Sequence, residues 1–196
     1  MKHARSVLVW IALAALVVVP FIAAANSPLL AWRQPVYIVA GFAGIAALVL
    51  LLLQPLLAIA YLPGILPQTS KKIHRWTGSS LVILVVCHVV GLWITSPPDV
   101  IDALLFTSAT PFSVWGVVAM WSIFVAAGLV VIRRQLPWKP RMWHYVHLTL
   151  VTITVLGTVV HAMKIEGTME IFSKAVLCFF VVFALTIAVL KRLGKK

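Results

Sequence analysis

Four of the six histidines form two pairs with the same spacing. His74 and His88 fall on one predicted helix, His147 and His161 fall on another, and both pairs are 14 residues apart. Fourteen residues turn an α-helix by about 1400° and rise by about 21 Å, so the two members of a pair share one helix face. The spacing therefore predicts two helices that each present two imidazoles, one near either end.

If the two helices run parallel, their imidazoles face each other at two levels. Neutral imidazole binds metals, and it is a common axial ligand of haem iron. A histidine-lined path for a metal ion or for protons would use the same residue type and stays open as an alternative. The repeated interval favours two b-type haems with paired axial ligands, His74 with His147 and His88 with His161.

The helices that carry these residues are expected to cross a membrane. Of the 196 residues, 63% are hydrophobic and only 10% are charged, and the mean hydropathy is +1.10. A soluble globular domain carries more charge than this. The net charge of +12 does not indicate nucleic-acid binding, because the charges lie between apolar runs and not on one amphipathic face. Cys87 and Cys178 lie inside apolar stretches and are expected to be packing residues.

Six apolar runs are long enough for a membrane span, which takes about 20 residues. They cover residues 7–25, 36–62, 77–94, 112–132, 142–163 and 171–190. The segments between them contain turn residues, including Pro97-Pro98-Asp99. The first run also resembles a cleavable secretory signal, but its long apolar core favours a retained helix. The sequence thus predicts an all-α fold, a single transmembrane domain over residues 1–196 with six helices and a haem-binding core at about 36–190.

The basic residues are concentrated in alternate connections. Cytoplasmic loops of membrane proteins carry an excess of Lys and Arg. Thirteen of the sixteen fall on the side that includes both termini, so the N- and C-termini are predicted to be cytoplasmic and the third and fifth spans to run outward in parallel. The thirteen are Lys2, Arg5, Lys71, Lys72, Arg75, Arg133, Arg134, Lys139, Arg141, Lys191, Arg192, Lys195 and Lys196. The other side receives Arg33, Lys164 and Lys174 with all four acids, which are Asp99, Asp102, Glu166 and Glu170.

Three glycines lie on the histidine-bearing faces within about one turn of a histidine. They are Gly78, Gly91 and Gly157. A porphyrin that lies flat against a helix needs places without a side chain, so these glycines are candidate haem contacts. Close packing of helices is the alternative use of small residues in membranes.

Arg75 is the candidate partner for the propionates of an inner haem, because guanidinium groups bind carboxylates well. The other basic residues near the cytoplasmic ends also satisfy the topology rule and interact with anionic lipid headgroups. His144 lies 17 residues before His161, which places it about 100° off that face, so it is expected to be a neighbour or a propionate partner.

Two segments resemble the ferric reductase-like transmembrane domain. They are 72–78, Lys-Ile-His-Arg-Trp-Thr-Gly, followed by His88, and 143–147, Trp-His-Tyr-Val-His, followed by His161. The family is the haem-bearing core shared by ferric reductases, NADPH oxidases and the haem membrane subunit of the bacterial periplasmic methionine sulfoxide reductase system. The resemblance covers about residues 36–190. It implies six helices, an inner haem on His74 and His147, and an outer haem on His88 and His161.

The resemblance also implies a haem-dependent oxidoreductase, or its electron-transfer subunit, in the inner (plasma) membrane. Electrons would pass from a cytoplasmic donor to an acceptor on the outer face: ferric iron, oxygen or a periplasmic redox partner. The expected donors are a separate cytoplasmic reductase, a bound flavin (FMN or FAD) or the quinol pool, because no soluble flavin and nucleotide region follows the last span. The expected surroundings are membrane lipid, and no residue is assigned to acid–base or nucleophilic catalysis.

Two other functions remain open. A quinol-linked diheme cytochrome b subunit of a larger complex would use the same ligands with a different donor. A histidine-lined metal or proton transporter comes from another class, but no Asp or Glu lies at membrane depth, and such relays usually include them.

Overall fold

The computed structural model describes residues 2–193, which form seven α-helices and one short 3₁₀ turn. Lys195 and Lys196, two of the charges counted above, lie outside the described residues. The helices are α1 (Lys2–Ala25), α2 (Pro35–Ala58), α3 (Pro67–Thr95), α4 (Pro97–Leu104), α5 (Ser113–Ile132), α6 (Pro140–Lys164) and α7 (Ile171–Leu193). All except α4 are long and apolar enough to cross a membrane, and no strand occurs within residues 2–193. The prediction of an all-α bundle with six spans is confirmed.

Proline marks the start of four helices. Pro35, Pro67, Pro97 and Pro140 each occupy the first helical position, where the missing N–H would have no partner in the helix. The helix α3 begins ten residues before the apolar run that predicted it. Hydropathy detects only the lipid-embedded part of a helix, so the polar first turns of α3 were missed.

The segment Pro97-Pro98-Asp99 was expected to be a loop, and the structure corrects this expectation. It forms the first turn of the eight-residue α4, which packs against α3 and α5. Val100 is buried while Asp102 on the same helix is exposed. Proline is compatible with a first turn, so its presence indicated a helix start as much as a turn.

The two histidine-bearing helices pack mainly on different partners. The helix α3 lies along α2, α6 lies along α5, and α7 contacts both α2 and α6. The helix α1 packs on α7 and α2. The core lies among α2, α6 and α7, with Leu52, Leu57, Val155, Leu177 and Val181 at its centre. Because lipid is as apolar as these side chains, close packing rather than hydrophobic burial holds such helices together.

Candidate functional site

The four paired histidines lie inside membrane spans. His74 and His88 belong to α3, His147 and His161 belong to α6, and all four side chains are partly buried. The structure keeps each pair on its own helix, as the spacing predicted, and the facing of His74 to His147 and of His88 to His161 stays a prediction.

Both outer histidines are oriented by a backbone carbonyl of the neighbouring helix. His88 Nδ1 lies 2.8 Å from Ala40 O on α2, and His161 Nδ1 lies 2.9 Å from Phe112 O at the start of α5. A carbonyl oxygen can only accept, so each Nδ1 carries the proton and donates it. The Nε2 atom of each ring then keeps its lone pair, which is the state that a metal-binding imidazole requires.

Two glycines give the outer imidazoles access to these carbonyls. A Cβ on Gly44 would lie 3.0 Å from His88 Nδ1, and one on Gly116 would lie 2.6 Å from His161 Nδ1. Each glycine follows the accepting residue by four positions, which is about one helical turn. The imidazole ring therefore packs against the glycine while its Nδ1 reaches the carbonyl one turn earlier. Sequence reasoning missed both glycines, because the choice among glycines in these spans depends on which helices pair.

The inner pair is less symmetric. His74 Nδ1 donates to Gln54 O on α2 at 3.1 Å. His147 Nδ1 is buried and has no hydrogen-bond partner within the described residues, while the ring of Trp143 stacks on it with centroids 5.7 Å apart. Three of the four rings are thus held by a carbonyl, and the fourth is held by an aromatic neighbour.

The predicted glycines share the histidine faces, but the atoms opposite them belong to other helices. A Cβ on Gly91 would lie 2.6 Å from Ala40 Cβ, and one on Gly157 would lie 2.9 Å from Trp115 O. A Cβ on Gly78 would make ordinary contact with the Gln54 side chain at 3.7 Å. Close helix packing, the alternative stated above, accounts for Gly91 and Gly157.

Arg133 is connected to the inner pair through an aromatic ring. It follows α5, and Trp143, which stacks on His147, lies beside it. The Arg133 guanidinium lies 4.9 Å from the ring centroid of Trp143. Arg75 is exposed on α3.

The remaining polar groups do not form a separate metal centre. Within the described residues, no three His, Cys, Asp or Glu side chains are grouped so that they could hold a metal ion. His144, the predicted neighbour of the inner pair, is exposed and its Nδ1 donates to Pro140 O. The exposed Cys87 and the buried Cys178 are free thiols.

The chain matches the model of a known family. A family model described as ferric reductase like transmembrane component matches residues 40–158. The matched segment includes His74, His88 and His147, and it ends three residues before His161. No curated protein and no solved structure matches the chain.

Proposed function

Because the chain belongs to the ferric reductase-like transmembrane component family, we propose that it carries electrons across the membrane through two b-type haems. Family membership by itself implies a membrane oxidoreductase or an electron-transfer subunit. The observation that supports two haems is the hydrogen bonding of the paired histidine rings on α3 and α6. Three of these rings donate Nδ1–H to a carbonyl and so keep Nε2 available for iron.

The residues fit the group that they would hold. When bound, haem iron supplies a one-electron couple between the ferric and ferrous states. The chain supplies Nε2 of His74 and His147 at the inner level and Nε2 of His88 and His161 at the outer level. Hydrogen bonds at Nδ1 keep the rings in one orientation and raise their basicity, as outer-shell partners of metal-bound histidines do elsewhere.

Cations at the inner end complete the proposal. Arg133 lies against Trp143, whose ring stacks on His147, so it is a proposed partner of a haem carboxylate. Arg75 remains a proposed partner from the family motif, although its side chain points to the exposed surface of α3.

The proposed direction is from the cytoplasm outward. The excess of Lys and Arg at one end of the bundle supports cytoplasmic termini and a location in the plasma membrane. The proposed donor is a separate cytoplasmic reductase, a flavin or a quinol, and the proposed acceptor is a redox partner, ferric iron or oxygen outside. A quinol-linked diheme cytochrome would differ in its donor only.

A histidine-lined transporter is the less favoured alternative. A metal ion in transit needs several ligands at each site, and the described residues contain no cluster of three or more ligating side chains. Paired imidazoles with oriented Nδ1–H groups are better explained by a ligand that occupies the other coordination positions itself, as a porphyrin does.

The proposal is tested by a reduced-minus-oxidised optical spectrum and a pyridine haemochrome count on the purified protein. We expect two b haems per chain, and we expect His88→Ala and His161→Ala each to lose one of them. The matched control is His144→Ala, because His144 lies on α6 but is exposed and bonded to its own helix. The control should keep both haems.

Absence of haem after expression with ample haem supply would reject the proposal and favour the transporter. Loss of one haem in His144→Ala would reject the assignment of His147 as a ligand of the inner haem.

A further inference from the structure

Gln54 is a buried amide in an otherwise apolar part of α2. It is 8% exposed and is preceded by four leucines and followed by a proline and two more leucines. A polar side chain at membrane depth costs free energy unless its hydrogen bonds are satisfied. A leucine would suit the surrounding segment, so the amide is expected to have a specific role.

The contacts of Gln54 lead to the turn of α3 that carries His74. Gln54 Nε2 lies 2.8 Å from Thr77 Oγ1 and 3.4 Å from His74 O. The Thr77 hydroxyl donates to Ile73 O at 2.9 Å, so it accepts from the Gln54 amide. The backbone carbonyl of Gln54 accepts from His74 Nδ1. One residue of α2 therefore holds both the imidazole of His74 and the backbone turn from which it extends.

The other three histidines lack such a second link. His88 and His161 are bonded to a neighbouring backbone carbonyl, and His147 Nδ1 has no partner within residues 2–193. Within residues 2–193, His74 is the paired histidine whose own backbone carbonyl accepts from a side chain of a neighbouring helix. The hydrogen bonds of Gln54 therefore hold α3 to α2 at the level of this histidine.

We propose that Gln54 is the positioning residue of His74 and that, through Thr77, it fixes the plane of this imidazole at the inner iron. This inference rests on the proposed function, since it concerns a ligand of the inner haem. Outer-shell hydrogen bonds orient metal-bound imidazoles and tune the metal, so loss of the link changes the properties of the inner haem alone.

The substitutions Gln54→Leu and Thr77→Val each remove the side-chain link and keep the backbone carbonyl that His74 uses. Electron paramagnetic resonance of the oxidised protein is the readout, because the g values of low-spin ferric haem depend on the angle between the two imidazole planes. We expect the signal of one haem to shift in both variants, together with its midpoint potential, and the other haem to stay as in the parent.

Two further variants separate positioning from packing. Thr77→Ser keeps a hydroxyl and should restore the parent signal. Ser70→Ala removes another buried hydrogen bond between α3 and α2, from Ser70 Oγ to Leu57 O at 2.8 Å, without touching a histidine. It should leave both signals unchanged. The double variant of Gln54 and Thr77 should shift the signal no further than either single one, because both remove the same link.

The outcomes are distinguishable. A parent protein without haem would reject the proposed function and this inference with it. Two haems in the parent with unchanged signals in Gln54→Leu and Thr77→Val would reject the inference alone, as would an equal shift in Ser70→Ala. If Gln54→Leu fails to accumulate in the membrane, Thr77→Val with its serine rescue decides the question.

Discussion

At Gly116 a missing side chain allows an imidazole from α6 to reach a carbonyl of the neighbouring helix. The same arrangement occurs at Gly44, where His88 crosses α2. Glycine in a membrane helix is usually explained by helix packing, and Gly91 and Gly157 follow that rule. Gly44 and Gly116 contact histidine rings instead. A larger residue at Gly44 or Gly116 would therefore displace an imidazole, whereas one at Gly91 or Gly157 would push two helices apart.

The substitution Gly116→Ala is expected to displace His161. A methyl group there would lie 2.6 Å from His161 Nδ1, and inserting a methyl into a packed site costs about 1–3 kcal/mol. Since about 1.4 kcal/mol is a factor of ten, retention of the proposed outer haem should fall by roughly fivefold to a hundredfold. Gly44→Ala should have a smaller effect, because its contact of 3.0 Å is less close. Haem content after dilution into detergent measures the loss.

Gly128→Ala is the control on the same helix, since nothing lies within 4 Å of the added methyl. If Gly116→Ala retained both haems as the parent does, the contact between His161 and the Phe112 carbonyl would not be needed for ligation.

At the scale of elements, polar groups bond the two helix ends that meet between α6 and α7. Glu170 accepts hydrogen bonds from the backbone N–H groups of Ser173 and Phe172, both at 2.6 Å, and these bonds lower the pKa of its carboxyl group. The buried Lys174 donates to Ile165 O at 2.7 Å, at the end of α6. The carboxylate thus accepts from free N–H groups in the first turn of α7, and the ammonium donates to a free carbonyl at the end of α6.

The variant Glu170→Gln should lower the thermal midpoint of the detergent-solubilised protein at neutral pH. The pKa of Glu170 is lower in the folded protein than its usual value of 4.5, so its stabilisation is fully present above that value. The stabilisation is lost as the pH falls through the folded pKa. The difference between parent and variant should therefore shrink below about pH 4.5. Thermal unfolding across this range is the measurement, and a difference that grows toward acid would contradict the assignment.

At the scale of the whole molecule, charge divides the two ends of the bundle. The acids Asp99, Asp102, Glu166 and Glu170 share one end, and most of the Lys and Arg residues share the other. Six candidate spans are an even number, so both ends of the chain are expected on the same side of the membrane.

Labelling of single cysteines tests which side that is. In a chain with Cys87 and Cys178 replaced by alanine, Ala109→Cys should react with a membrane-impermeant maleimide added outside intact cells. Gln135→Cys, in the exposed connection between α5 and α6, should react only after permeabilisation. The reverse pattern would place the termini outside and reverse the proposed direction of electron flow.

The sequence by itself determined the number of spans and the two pairs of histidines. A span is recognised from the composition of about 20 consecutive residues. The geometry of a single helix places two histidines 14 residues apart on the same face. Both are local properties of the chain, so no knowledge of helix neighbours was needed. Helix ends were less accurate, since α3 begins in a polar segment and α4 begins at prolines that resembled a turn.

Only the tertiary structure decided which atoms surround each histidine. The carbonyls of Ala40, Phe112 and Gln54 are far in sequence from the rings that they bind, at separations of 48, 49 and 20 residues. Every residue has a backbone carbonyl, so the residue type does not reveal which carbonyl accepts from an imidazole. The pairing of the helices decides this.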